Sequence, residues 1–554
     1  MNIRTAKMPR WASVLIVAAI LCVGVAPVLY YILGPARGYM TSDTTDSLLW
    51  AYEAYTSGRA ISEDFYYAAI LPFGGNQIFY PFLALFGFSM RAQLGGLCLF
   101  AVLFALALWF FATGLGLDRY RSAGVVSMTM LILSSSAKLR EIVWEHIFYY
   151  NLGILFFCFG MGLVARLLDV GREDSRPRRV IAIVCAAVLG LFTVFASTDG
   201  LQALICLSLP LIAGLLAERL FADERLTNRA GRRSLWIILL VGGCTLVGLL
   251  LKKPLTGGIT ASYQEAYSTW SASSKWISNL NNFLPNWLSL FGVSVTDSDP
   301  LASGKSVVNM IRLIGGLLLL VIPLFLVFRW KRLESRAIRI ALVGHLTISA
   351  GILFAVVFGS LGGANWRLTP MLGTSAILSA VTVSESLRGE RVIRRVAAVF
   401  LTVLVLLSGT SLATFLQMKP TEGRDNCWFR AQEALEEHGL RYGFANFWWA
   451  EYLTMISDGR LQVANIRESQ PKPTAYRYQC RKDAFDPKED AGSYFLLLTE
   501  KENTAMAAWL AERRSAGLQT DAFTIEATYD LRGHVGETMY VYVYSVSPLE
   551  AIPK

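Results

Sequence analysis

Asp43 and Asp46 stand three residues apart in the stretch 41–57, directly after the first long apolar run. A carboxylate at a membrane surface can act as a general base toward an attacking hydroxyl. The stretch opens like a helix, with Thr41 or Ser42 placed to cap free N–H groups and acids in the first turn. On a helix, Asp43, Asp46, Trp50 and Glu53 fall on one face at spacings of three, four and three. Leu48, Leu49, Tyr52 and Tyr55 fall largely on the other. The same two aspartates would also suit a purely structural role, capping the helix and meeting its dipole.

Other chemistry-bearing residues gather at the ends of apolar runs. Glu141, Glu145 and His146 lie in one short stretch after the third run, and Glu141 and Glu145 are four apart, a spacing that shares a helix face. An interfacial belt explains the same stretch, with Trp144 as anchor and Lys138 or Arg140 paired with the acids. Asp199 sits in Ser197-Thr198-Asp199-Gly200, where it either lines a site or closes a tight turn. Arg367 is the one charge in the loop leading into Thr369-Pro370. Its planar fork suits a phosphate or carboxylate; the alternative is snorkelling to lipid headgroups, which also fits Lys252 and Lys253. From Gly443 to Arg460 aromatic residues are dense, which fits a core, a membrane face or a sugar platform.

The elements that must position these groups follow from composition. The chain has 554 residues, 54% hydrophobic and 17% charged, with mean hydropathy +0.45. This is the composition of a polytopic membrane protein. The net charge of +10 comes from basic residues in short loops between apolar runs. That pattern sets membrane orientation and argues against a nucleic-acid partner. Eleven spans are expected: 11–33, 91–113, 122–136, 149–166, 180–197, 201–217, 235–251, 307–328, 339–359, 370–386 and 396–416. The first lacks a convincing cleavage site and reads as a retained span rather than a signal peptide. With the N-terminus in the cytoplasm, every second loop carries the arginine clusters, such as Arg176, Arg178 and Arg179, and the C-terminal segment lies outside. The segments 34–90, 252–306 and 417–554 are then all outside. The expected fold is a polytopic α-helical membrane domain over 1–416 and an extracytoplasmic α/β or α+β domain over 417–554. In the latter, 430–439 and 500–516 read as helices and 493–498 and 538–545 as strands. Six of the eight cysteines lie in apolar runs. Cys427 and Cys480 alone lie in the outside domain and are expected to pair as a disulfide. No CxxC spacing or histidine pair suggests zinc.

Ser42-Asp43-Thr44-Thr45-Asp46 after the first span, Asn365-Trp366-Arg367-Leu368-Thr369-Pro370 before a late one, and the stretch 442–460 together resemble the GT-C superfamily of integral-membrane glycosyltransferases. The resemblance covers most of the chain as architecture and about thirty residues as motif. Leu368 stands where relatives often have Tyr. The resemblance implies an enzyme that moves a sugar from a polyprenyl-phosphate donor to an acceptor hydroxyl at the extracytoplasmic face of a bacterial cytoplasmic membrane, with inversion. It implies Asp43 as base, Asp46 as its neighbour or substitute, and Arg367 as phosphate clamp. Glu53, Glu141, Glu145, His146 and Asp199 become candidate substrate-binding residues. Some relatives carry a divalent metal, which Asp43, Asp46 and Glu53 do not by themselves require. The acceptor, whether glycan, lipid or protein, is not named by these residues. The competing readings are a lipid or polysaccharide transporter or flippase, and a membrane-anchored envelope assembly protein. Convergence of the acidic helix, Glu141–His146 and Arg367 on one outer cavity would favour the enzyme; a polar path through the membrane would favour transport.

Overall fold

The computed structural model describes residues 9–147, 150–169, 176–221, 229–259, 261–294, 300, 302–333, 335–423, 426–467, 472–517, 525–530 and 539–551. Among them are nine helices long and apolar enough to cross a membrane. They run from α1 (Arg10–Leu33) to the Arg391–Gln417 helix, and each coincides with an expected span. The chain is a multi-pass helical membrane protein.

The two remaining expected spans differ, each for a physical reason. The run expected at 122–136 is broken. Helix Arg119–Ile132 and the segment Ala137–Glu145 meet at 114°. Ser134-Ser135-Ser136 makes the corner: Ser136 Oγ accepts from Leu139 N–H at 2.9 Å and donates to the Leu290 carbonyl at 2.5 Å. Ser136 is thus the N-cap of the second segment and starts it in a new direction. The run 370–386 does form a helix, Thr369–Ser386, but it is enclosed on almost every residue by other helices and is too rich in Ser and Thr to count among the apolar nine. Its hydroxyls bond inside the bundle: Thr374 Oγ1 lies 2.8 Å from His345 Nδ1, and Ser375 donates to the Leu319 carbonyl. Close packing elsewhere rests on small residues. A Cβ on Gly24 would come within 2.4 Å of Ser127 Cα, so only glycine lets α1 lie this tightly on the Arg119–Ile132 helix.

The first long loop carries α2 (Ser42–Ser57). Its start is a capping box, with Thr41 as N-cap and Thr44 Oγ1 accepting the Thr41 N–H at 3.0 Å. It ends on Gly58, at φ 65°. Farther along, β1 (Phe65–Tyr66) pairs antiparallel with β4 (Cys480–Arg481), joining this loop to the C-terminal segment.

That segment is built on a five-stranded mixed sheet. The order is β3 (Gln462–Ile466), β2 (Tyr442–Asn446), β5 (Tyr494–Thr499), β7 (Met539–Tyr544), β6 (Ile525–Asp530). β2 runs parallel to β3 and β5; β7 runs antiparallel to β5 and β6. The expected α/β character holds. Helices Cys427–Glu437 and Glu500–Ser515 and strands β5 and β7 fall where the periodicity placed them. The aromatic stretch is the β2 strand followed by the Phe447–Ile456 helix, which Asn446 caps by accepting from Trp448 N–H at 3.1 Å. Most of its aromatics, Trp449 and Tyr452 among them, are core; Trp448 is exposed.

The expected disulfide is absent. Cys427 and Cys480 are not joined to each other. Each segment is tied to a different anchor. Asn426, next to Cys427, donates to the Arg37 carbonyl at 3.3 Å. Cys480 is held in the β1–β4 ladder, its Sγ donating to the Tyr476 carbonyl at 3.8 Å.

Candidate functional site

The polar face of α2 meets the segment 479–481 rung by rung. Trp50 Nε1 donates to Gln479 Oε1 at 2.6 Å, Gln479 Nε2 donates to Asp46 Oδ2, and Arg481 Nη1 donates to Glu53 Oε1 at 2.6 Å. Gln479 achieves this with a left-handed backbone, φ 54°, a conformation that costs a non-glycine residue on the order of 1 kcal/mol or more. The face expected to be catalytic is therefore mainly a docking face. Glu53 is corrected from ligand binder to ion-pair partner: it is buried against Arg481, whose other nitrogens hold Asp483. The N-terminal end of the face, Asp43 and Asp46, lines a cavity that Trp50 and Glu53 do not reach.

That cavity has a volume of about 750 Å³. The broken segment forms one wall. Its last turn, Glu141–Glu145, is a π-turn, with His146 N–H bonded to the Glu141 carbonyl at 2.9 Å. Asn151 Nδ2 satisfies the Ile142 and Val143 carbonyls at 2.5 and 3.0 Å. The wider turn breaks the four-residue register. Glu141 and His146 reach the cavity, while Glu145 turns away, buried against the Tyr31 hydroxyl, and does not line it. Glu145 is thus corrected from site residue to interior partner of Tyr31. A second π-turn, Leu204–Ser208, interrupts the helix that borders the cavity at Gln202.

Asp46 is 1% exposed. Burial, then the nearby carboxylates of Asp43 and Glu451, push its pKa well above the ordinary carboxylate range. Its Oδ1 is buried with no hydrogen-bond partner among the described residues. His146 Nε2 lies 4.0 Å from Asp46 Oδ2. One ligand atom each from Asp43, Asp46 and His146 lies within 4.8 Å of the others. Two carboxylates and an imidazole suit Mn²⁺ or Zn²⁺ better than an all-oxygen ion. A cation there would also engage the orphaned oxygen and offset the crowded negative charge. These three residues fit a divalent metal.

Opposite chemistry comes from the loop before Thr369. Arg367 is 8% exposed and lines the cavity, with its Nε unpartnered among the described residues. Its guanidinium lies 4.6 Å from the ring centre of Tyr267. Tyr267 comes from the 252–306 loop, which is pinned over the site: Gln264 N–H donates to the Ala68 carbonyl at 3.1 Å, and Gln264 Oε1 accepts from Ile70 N–H at 3.0 Å. Lys138 is neutralised by Glu141 at 2.5 Å and sits 5.2 Å from the Trp366 ring centre. Asp199 completes the set from another wall.

Of the expected site residues, Asp43, Asp46, Glu141, His146, Asp199 and Arg367 converge on one cavity. The sequence reading missed Gln479, Glu451 and Tyr267. Glu451 lay inside the stretch 442–460, with burial pushing its pKa up to about 8, but nothing set it apart there. Gln479 carries no sequence signal.

No family model and no curated protein matches the chain. Solved structures do. ArnT from Cupriavidus metallidurans bound to undecaprenyl phosphate aligns over 99% of this chain and 100% of its own, at 13% identity and TM-score 0.47. The archaeal oligosaccharyltransferase AglB from Archaeoglobus fulgidus, in complex with an inhibitory peptide and a dolichol-phosphate, aligns over 90% of this chain and 71% of its own, at 11% identity and TM-score 0.48.

Proposed function

We propose that the chain is a GT-C-type glycosyltransferase that moves a sugar from a polyprenyl-phosphate donor to an acceptor hydroxyl, with inversion, at the extracytoplasmic face of a bacterial cytoplasmic membrane. In this reading the N-terminus is cytoplasmic, residues 1–416 form the membrane domain, and 417–554 form an outside domain that closes over the site. The observation that carries the reading is the shared cavity: a carboxylate pair on one wall and an arginine with an unpartnered nitrogen on another. Glycosyl transfer from a lipid phosphate needs both, a base for the attacking hydroxyl and a fixed cation for the leaving phosphate.

Asp43 is the base. It is half-buried and opens to the cavity, whereas Asp46 is buried and held by Gln479. The acceptor O–H gives its proton to the Asp43 carboxylate as its oxygen forms a bond to the anomeric carbon. The bond from that carbon to the phosphate oxygen breaks on the opposite face, and the electron pair leaves with the polyprenyl phosphate. Arg367 receives the charge that gathers on the phosphate. Tyr267 keeps the guanidinium in place. Asp43, Asp46 and His146 would hold a divalent cation, which would supply further positive charge beside the donor phosphate. Asp46 and Gln479 fix the position of Asp43's helix against the outside domain.

The test is the purified protein in lipid nanodiscs with a panel of polyprenyl-phosphate-linked sugars, scored for release of polyprenyl phosphate. Release that requires Asp43 supports the reading. No release from any donor, together with movement of a lipid-linked glycan across vesicles, would replace it with the flippase.

A further inference from the structure

A second polar group in the cavity does no work in the mechanism above. Asp199 would ordinarily be explained by its turn, where an aspartate bonds its own backbone. Here it does not. Asp199 Oδ1 accepts from Phe73 N–H, in a different loop, at 2.7 Å. The turn is served by Lys252, whose Nζ donates to the Asp199 carbonyl at 3.4 Å and approaches Gly200, at φ 80°, so closely that a Cβ there would meet it at 3.0 Å. Asp199 Oδ2 is left buried, 1% exposed as a residue, with no partner among the described residues. Three residues on, Gln202 lines the same cavity with Nε2 and Oε1 both buried and unpartnered. Leaving a buried amide and a carboxylate oxygen unbonded is costly, and such groups are normally satisfied by a ligand or water.

We propose that Asp199 and Gln202 form the subsite that reads the hydroxyl pattern of the transferred sugar. Asp199 Oδ2 accepts from one ring hydroxyl. Gln202 Nε2 donates to a neighbouring hydroxyl, and its Oε1 accepts that group's or the next one's proton. Two fixed polar side chains on one wall match a pair of adjacent ring hydroxyls, and an epimer that moves one of them leaves a buried partner unbonded. That is how a site rejects a near-identical substrate. The inference rests on the glycosyl-transfer reading and names the part of the site that chooses the sugar.

The test uses full-length protein in nanodiscs and measures binding of bare polyprenyl phosphate and of polyprenyl-phosphate-linked glucose, mannose and galactose. The variants are Asp199→Asn, which keeps an Oδ1 for Phe73, and Gln202→Leu, which removes no protein hydrogen bond seen here. Wild type is expected to prefer one sugar-lipid over its epimers by about tenfold or more, and each variant to lose most of that preference with bare polyprenyl phosphate binding unchanged. Gln202→Leu should melt no lower than wild type; a lower melting point with the sugar preference intact would make the amide structural and overturn the proposal. Variants that retain the wild-type sugar preference overturn it while leaving glycosyl transfer standing. Wild type that binds sugar-lipids no better than bare polyprenyl phosphate overturns the subsite, and failure to bind either ligand sinks the glycosyl-transfer reading as well.

Discussion

Gln479 donates from Nε2 to Asp46 Oδ2 across 433 residues of chain, while its Oε1 takes the indole N–H of the buried Trp50. One amide thus satisfies two buried groups on α2 and fastens the C-terminal segment to the helix that carries the candidate base. Because Gln479 also holds a left-handed backbone, its side-chain direction is set by the chain on both sides of it.

Replacing that amide is therefore expected to cost more than one bond. Gln479→Ala removes the amide that bonds both buried Asp46 Oδ2 and the Trp50 indole N–H, and a buried group that loses its hydrogen bond costs ~1–3 kcal/mol. Donor turnover should fall roughly tenfold or more, with lipid donor affinity less affected, because Arg367 is untouched. Kinetics with a lipid-linked sugar donor check this. Wild-type turnover in the variant would mean that the docking of 479–481 on α2 does not position the base.

Asp43→Asn is expected to abolish transfer with insertion and folding intact, since the residue is half-buried and opens to the cavity. If Asp43, Asp46 and His146 share a cation, His146→Ala should raise the Mn²⁺ concentration for half-maximal activity about tenfold or more, as loss of a ligand does. The measurement is a metal titration after chelation. Equal curves for wild type and variant would remove His146 from the metal set.

Arg367 is expected to tolerate no substitution. Lysine keeps the charge but loses the fork and its seat on Tyr267. Arg367→Lys should lower both kcat and kcat/KM roughly tenfold and Arg367→Ala roughly a hundredfold, the mark of a contact that strengthens in the transition state. Unchanged kinetics in both would reduce Arg367 to an interfacial anchor.

Glu451 offers a pH test away from the spans. Burial, then the Glu53 charge, raises its pKa from 4.5 to about 8. The folded state then binds a proton between pH 4.5 and 8 that the unfolded state has lost, so this group's contribution to stability falls as pH rises through that window. Glu451→Gln removes the titration. In chelator-treated protein its melting temperature should gain on wild type between pH 5 and pH 8 by at least about 2 °C. A constant difference across that range would show that Glu451 is ionised throughout.

The membrane architecture was legible because it depends on composition summed over windows of about twenty residues, which neighbours in space scarcely alter. Among the described residues, nine of the eleven expected spans are apolar helices of sufficient length. The strands β5 and β7 were legible for the same reason, as local runs of aromatic and branched residues. The candidate site was legible only in part. Asp43, Asp46, Glu141, His146, Asp199 and Arg367 were found because polar groups beside apolar runs stand out.

What the sequence by itself determined is thus nine of the expected spans, the polar groups at their ends and the acidic helix after the first. Tertiary structure alone decided what each polar group faces. The π-turn at Glu141–Glu145 parted two glutamates that a regular helix would have kept together, sending Glu145 into the interior. Pairing of β1 with β4 brought Arg481 to Glu53 and Gln479 to Asp46, and left Cys480 with its own anchor rather than Cys427. These outcomes depend on contacts between residues hundreds apart and on a one-residue change of helical register. Hydropathy and spacing average over both.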